Sequence, residues 1–141
     1  MSFLADLERK LPNHSFIGLL GRICFTLIFF LSGITHFTDI EGYVALMREE
    51  IPARTFWVLI SGVVELAGAV MILFNRHAKL GGWLIFLFLV PVTIAVHGVE
   101  MVHAEDATMR AIQLSFFLKG VAMAGGALLI TQLGVTSKDG R

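Results

Sequence analysis

Arg22, Glu65 and Lys119 each stand inside a long apolar run, beside residues such as Ile23, Val64 and Leu118. An ionisable side chain at the centre of a bilayer costs about 2.5 to 3.5 kcal/mol on insertion scales, so each calls for a partner or a purpose. A carboxyl, an ammonium and a guanidinium brought together can hold a quinone carbonyl, an anionic headgroup or a proton. Three readings stand side by side. Glu65 and Lys119 form a buried pair that fixes helix register; or the pair, with Arg22 close by, lines a polar pocket; or Arg22 snorkels to the surface and Lys119 finds water.

Helical spacing groups these residues. At 1.5 Å per residue, Glu65 lies roughly 13 Å from either end of its apolar segment, Lys119 about 12 Å in from Ala111, and Arg22 about 9 Å in from Phe16. Glu65 and Lys119 are thus expected to share a depth. Ser61, Glu65, Gly68 and Ile72 form one stripe at i, i+4, i+7 and i+11, and its small residues admit a neighbouring helix. Ser115, Lys119, Met123 and Gly126 form a matching stripe, with Gly120 and Gly125 adjacent. Arg22, Phe29, Gly33 and His36 fall within about 40° of one line at 100° per residue. The three stripes are expected to meet in one interior.

His36 and His97 end two apolar segments, and His103 follows on the same side, with His14 and His77 on the other. Two histidines on separate helices can bind haem or, with a carboxylate such as Glu100, a metal. Their spacing does not single out a ligand set, and histidines that hydrogen-bond a loop are commoner, so no metal is expected. Cys24 is the one cysteine. It leaves no internal disulfide, no CxxC pair, no thiolate zinc site and no thiol-based quinone reduction, and between Ile23 and Phe25 it reads as an inert packing residue.

The elements that position these residues follow from composition. Of 141 residues 56% are hydrophobic, and the mean hydropathy is +0.79, so the solvent for most of the chain is lipid. Charged residues make up 16%, the formal net charge is zero and no basic block exists, so nucleic acid is not an expected partner. Four apolar segments, about 16–37, 56–74, 80–97 and 111–133, approach the roughly 20 residues that span a bilayer as a helix. The predicted fold is an all-α integral membrane four-helix bundle, a single domain over 1–141. Pro91 is expected to kink the third helix and leaves its end near His97 soft.

Two shorter segments read as interfacial helices. Phe3, Leu4, Leu7 and Leu11 share a face against Asp6, Glu8, Arg9 and Lys10, with Pro12 closing the segment at the N terminus. In the first outer loop, Ile40, Tyr43, Val44, Met47 and Ile51 repeat at helical spacing up to Pro52, either as a lid on the outer mouth or as a plain amphipathic connector. Trp57 and Trp83 read as interfacial anchors. A signal peptide is not expected, because the first apolar stretch is long and Thr38-Asp39-Ile40 offers no small-x-small cleavage site. The tail from Thr136 to Arg141 is short, polar and expected to fray.

Orientation comes from Lys and Arg. One side holds Arg9, Lys10, Arg76, Lys79, Lys138 and Arg141; the other holds Arg48, Arg54 and Arg110 among seven acidic residues. Both termini are therefore expected to face the cytoplasm.

The segment GRICFTLIFFLSGITHF, with its opening glycine-arginine and its Ser-Gly-x-x-His ending, resembles the first helix of the DoxX family. SGVVELAGAVMILF resembles that family's second helix around its glutamate, and FFLKGVAMAGGALLI resembles its fourth, with a lysine ahead of a glycine pair. The likeness runs in order from Gly21 to Ile130. It departs at His36, where many members carry a lysine, and after Leu133, where a terminal Gly-x-x-x-x-x-Asp signature is missing. The resemblance implies a four-helix protein of the bacterial inner membrane. In that family a DoxD-type relative forms part of a thiosulfate:quinone oxidoreductase, and some members associate with soluble redox enzymes. Carried over by motif, the positions at stake are Arg22, Ser32, Gly33, His36, Glu65, His97 and Lys119.

Two functions remain open. One is a subunit of a redox-linked membrane complex whose polar pocket takes a quinone, an anion or a lipid, with no covalently bound cofactor. The other is a non-catalytic scaffold, assembly or accessory subunit. The chain has no nucleotide-binding loop, iron-sulfur cysteines or thiol pair, so it is not expected to be an independent enzyme, and no catalytic residue is assigned. The expected partners are membrane lipid together with a larger membrane complex, a soluble redox enzyme or further copies of the chain.

Overall fold

The computed structural model describes residues 3–12 and 15–133. In order these form α1 (Phe3–Lys10), α2 (Ser15–Thr38), α3 (Ile40–Ala45), α4 (Arg54–Leu73), α5 (Ala78–Val92), a π-helical turn (Thr93–Gly98), α6 (Val99–His103) and α7 (Ala107–Leu133). Among the described residues there is no strand. Lipid offers no hydrogen-bond partners, so a spanning backbone must satisfy itself within the segment, and helices do this. Four helical spans are long and apolar enough to cross a membrane: Ser15–Thr38, Arg54–Leu73, Ala78–His103 and Ala107–Gln132.

The spans pack round the bundle in chain order, α2 on α4, α4 on α5 and α5 on α7. Two lipid-soluble surfaces gain little from burial against each other, so packing rests on close van der Waals approach through small residues. A Cβ added at Gly62 would lie 2.8 Å from His36 Cβ, one at Gly81 2.8 Å from the Gly68 carbonyl oxygen, and one at Gly82 2.8 Å from that of Ala127. Around these contacts Phe29, Ala69, Ile72, Ile85, Leu89 and Ala127 form the buried core. Leu31, Leu87 and Leu129 face outward instead, as lipid-facing side chains do.

Three boundaries differ from expectation for identifiable reasons. The third span does not end near His97 but continues to His103. Pro91 has no N–H to donate, and the helix widens after it: the Val99 N–H reaches Ile94 O, five residues back. The fourth span starts at Ala107 rather than Ala111, because Asp106 Oδ2 accepts from the Met109 N–H at 2.8 Å and caps the helix. Helix α3 begins on the Asp39 side chain, which accepts from the Gly42 N–H, but stops at Ala45 instead of reaching Pro52. There the Leu46 and Met47 N–H groups turn back to Tyr43 O and Val44 O, three residues earlier. The glutamates at 49 and 50 disfavour a continuing helix C-terminus, and Pro52 turns Ile51 away from helical geometry.

Leu4 and Leu7 of α1, and Leu11 just after it, are exposed. The tail from Thr136 and His14 lie outside the described residues.

Candidate functional site

The seam between α2 and α4 is closed by glycine on both sides. A Cβ at Gly33 would meet Leu66 Cγ at 2.8 Å and Glu65 Cβ at 3.4 Å, while Gly62 faces His36 and Phe37. This approach sets Ser32 opposite Glu65. Glu65 is 0% exposed, and Ser32 Oγ donates to its Oε1 at 3.3 Å. The other carboxyl oxygen, Oε2, is buried and has no hydrogen-bond partner. Buried polar atoms without partners are rare, and each asks for a role.

His36 lies one turn along α2 and is 5% exposed. Its Nδ1 is 2.8 Å from the Ser32 carbonyl oxygen. A carbonyl only accepts, so Nδ1 carries the proton, and in the neutral ring Nε2 keeps its lone pair. Tyr43 of α3 lies over the imidazole at 3.9 Å between centroids, and Phe88 of α5 meets it edge-on at 6.1 Å. The Tyr43 hydroxyl is tied to Thr35 Oγ1 at 2.7 Å, which fixes α3 across the end of the seam. A shallow depression lined by Phe37, Thr38, Asp39, Ile40 and Glu41 lies beside it.

Ser32, His36 and Glu65 therefore form one polar group in an apolar surround. Its imidazole Nε2 can accept from a hydroxyl, and its carboxyl group can accept from a hydroxyl or, when protonated, donate to a carbonyl oxygen.

Lys119 and Arg22 are not brought to it. Among the described residues the ion pairs are Arg9–Asp6 and Arg48–Glu50, both at the surface. Gly68 of α4 packs on Ile85, whereas Gly120 of α7 packs on Thr93, further along the third span. That offset sets Lys119 roughly 10 Å closer than Glu65 to the α3 end of the bundle, so the two do not share a depth. Of the stripe of Lys119 only the half formed by Met123, which packs on the core, and Gly126, which meets the Phe25 ring, faces the interior. Ser115 and Lys119 are exposed, and the buried line on α7 is Gly120, Ala127 and Thr131. Lys119 Nζ instead sits 5.1 Å from the centre of the Phe116 ring, which stacks on His97. His97 Nδ1 lies 3.0 Å from Gln113 Oε1.

Arg22 occupies the opposite end. Ten residues before Ser32 on the same helix, it lies about 15 Å away along the axis. Its Nε is buried without a partner. The three ionisable residues thus mark three levels of the bundle. Cys24 is exposed on the outside of α2 instead of packed within it. Among the described residues no group of three or more histidine, cysteine, aspartate and glutamate side chains gathers that could hold a metal.

Sequence reasoning placed Tyr43 in the outer-loop segment without pairing it with His36, and passed over Gln113. Tyr43 follows His36 by seven residues across the break at Asp39, where α3 turns back over the ring, and Gln113 is a lone amide in an apolar run.

The DoxX family model matches residues 17–98, more than half of the chain. The chain belongs to the DoxX family. Among curated proteins and among solved structures no match is found. The part matched to DoxX runs from α2 to the end of the π-helical turn and contains Arg22, Ser32, Gly33, His36, Glu65 and His97; Lys119 lies beyond it. With its four apolar spans, this DoxX chain is a multi-pass membrane protein.

Proposed function

We propose that this DoxX-family protein is a small subunit of a redox-linked complex in the bacterial inner membrane, and that its α2–α4 seam binds a quinone. One observation carries the reading: Glu65 is wholly buried, yet Oε2 meets no protein donor or acceptor. A ligand reaching that level from the bilayer must be lipid-soluble and must still offer polar oxygens, which describes a quinone or quinol. His36 Nε2, one turn along α2 from Ser32, is a second acceptor, since Nδ1 carries the ring proton. A quinol hydroxyl can donate to it while another ligand oxygen engages Glu65. The chain supplies binding and proton-exchanging groups, and the electrons come from a partner. Both termini are cytoplasmic in this reading, since Arg9, Lys10, Arg76 and Lys79 lie at the α1 end.

A photoreactive azido-quinone applied to membranes containing the full chain tests the reading. Labelling is expected within 26–43 and 58–69, and is lost in Glu65→Gln. Labelling elsewhere, or undiminished labelling of that variant, would reject the seam as the site.

One observation favours the accessory-subunit reading. Lys119 is exposed on the flank of the bundle without an ion pair among the described residues, a costly place for an ammonium unless another protein or the membrane surface receives it. Copurification of a stable partner from native membranes, lost in Lys119→Met but not in Glu65→Gln, would support it.

A further inference from the structure

We propose that Arg22 holds a phosphate group at the α1 end of the bundle, beside the start of α2. Arginine is always charged, and its guanidinium needs acceptors for five N–H donors. Here Nε is buried and unsatisfied. Among the described residues no carboxylate pairs with Arg22, and Glu65 lies a further two to three helical turns along the bundle. An unpaired buried cation donor is expensive, so an acceptor from outside the protein fits the site.

The direction of the side chain says where that acceptor lies. Arg22 Nη1 is 3.9 Å from where a Gly18 Cβ would stand, so the guanidinium runs back along α2 toward its start. Gly18 leaves room beside it, and a Cβ at Gly21 would meet nothing within 4 Å. Further along α2, Phe25 reaches α7, its ring 3.0 Å from where a Gly126 Cβ would stand. The fork therefore points toward the membrane surface at the start of α2. Seven residues into α2 is about 10 Å, a depth from which a long side chain reaches the headgroup layer.

A planar fork suits two oxygens of one phosphate. The surroundings agree in sign: Arg76 and Lys79 at the same end are exposed and form no ion pair among the described residues. The phosphate comes either from an anionic membrane lipid or from solution. This site is separate from the Ser32–Glu65 seam, so its failure and that of the quinone reading are distinguishable.

The test uses the full chain in mixed phosphatidylglycerol and phosphatidylethanolamine vesicles, extracted gently and weighed intact by mass spectrometry. Wild type is expected to retain phosphatidylglycerol. Arg22→Gln should lose that occupancy at least tenfold, Arg22→Lys should retain it in part, and quinone labelling should be unchanged in both. In delipidated protein, inorganic phosphate distinguishes the sources. If it raises the melting temperature of wild type but not of Arg22→Gln, and displaces the lipid, solution phosphate is a ligand; if it does neither, the lipid is. Arg22→Lys and the phosphate titration of wild type carry the test where Arg22→Gln fails to fold. Equal lipid retention in wild type and the Arg22 variants with no phosphate effect would overturn the proposal, as would loss of lipid only in Arg76→Gln or Lys79→Gln.

Discussion

Ser32 and Glu65 face each other across the α2–α4 seam at 3.3 Å, one hydroxyl serving one carboxyl oxygen and leaving the second without a partner. The glycines that permit this contact, Gly33 and Gly62, stand beside it on opposite helices. Polar chemistry and close packing therefore share one place in the bundle.

The bond should be measurable as coupling. Ser32→Ala removes the donor, and Glu65→Gln replaces the carboxyl with an amide of similar shape. A double-mutant cycle on unfolding in mixed micelles should give an interaction of about 1 to 3 kcal/mol, the range for a hydrogen bond to a group of this kind. Additive effects would mean that the two side chains do not interact in the membrane.

Glu65 and Lys119 should behave as strangers. They lie at different levels and form no ion pair, so Glu65→Gln with Lys119→Met is expected to match the sum of the single changes within about 0.5 kcal/mol. Rescue of one substitution by the other, read by the same unfolding assay, would restore the idea of a register-fixing pair.

Two glycines offer a matched comparison. A Cβ at Gly82 would stand 2.8 Å from the Ala127 carbonyl oxygen, which is backbone and cannot step aside, whereas one at Gly125 would meet nothing within 4 Å. Gly82→Ala should cost about 1 to 3 kcal/mol through overpacking. Gly125→Ala should be neutral, or stabilising by up to about 1 kcal/mol through helix propensity. Similar effects from both would show that α5 and α7 do not pack as described.

The four spans were legible in the sequence because hydrocarbon thickness sets a length and lipid forbids unpaired backbone. The α4 stripe was legible too, since Glu65, Gly68 and Ile72 are all buried where their spacing places them. The α7 stripe was legible only in its Met123–Gly126 half, since Ser115 and Lys119 are exposed. Lipid tolerates apolar side chains as well as protein does, so hydrophobic periodicity does not separate the inner face from the outer one. The position of Lys119 then suggested an inward face that belongs to Gly120, Ala127 and Thr131. Its depth was misjudged for a related reason: sliding one helix along another changes which residues meet but not the apolar pattern. The π-helical turn at Thr93–Gly98 likewise follows from hydrogen bonds that Pro91 cannot make, and the apolar run beyond it looks the same in either helix type.

Calorimetric titration of a short-chain quinone into the purified protein in lipid nanodiscs tests the central claim most directly. The account predicts saturable binding to wild type, weakened at least tenfold in Glu65→Gln and in His36→Ala and unchanged in Lys119→Met. Absence of saturable binding, or an affinity that survives both seam substitutions, would contradict it.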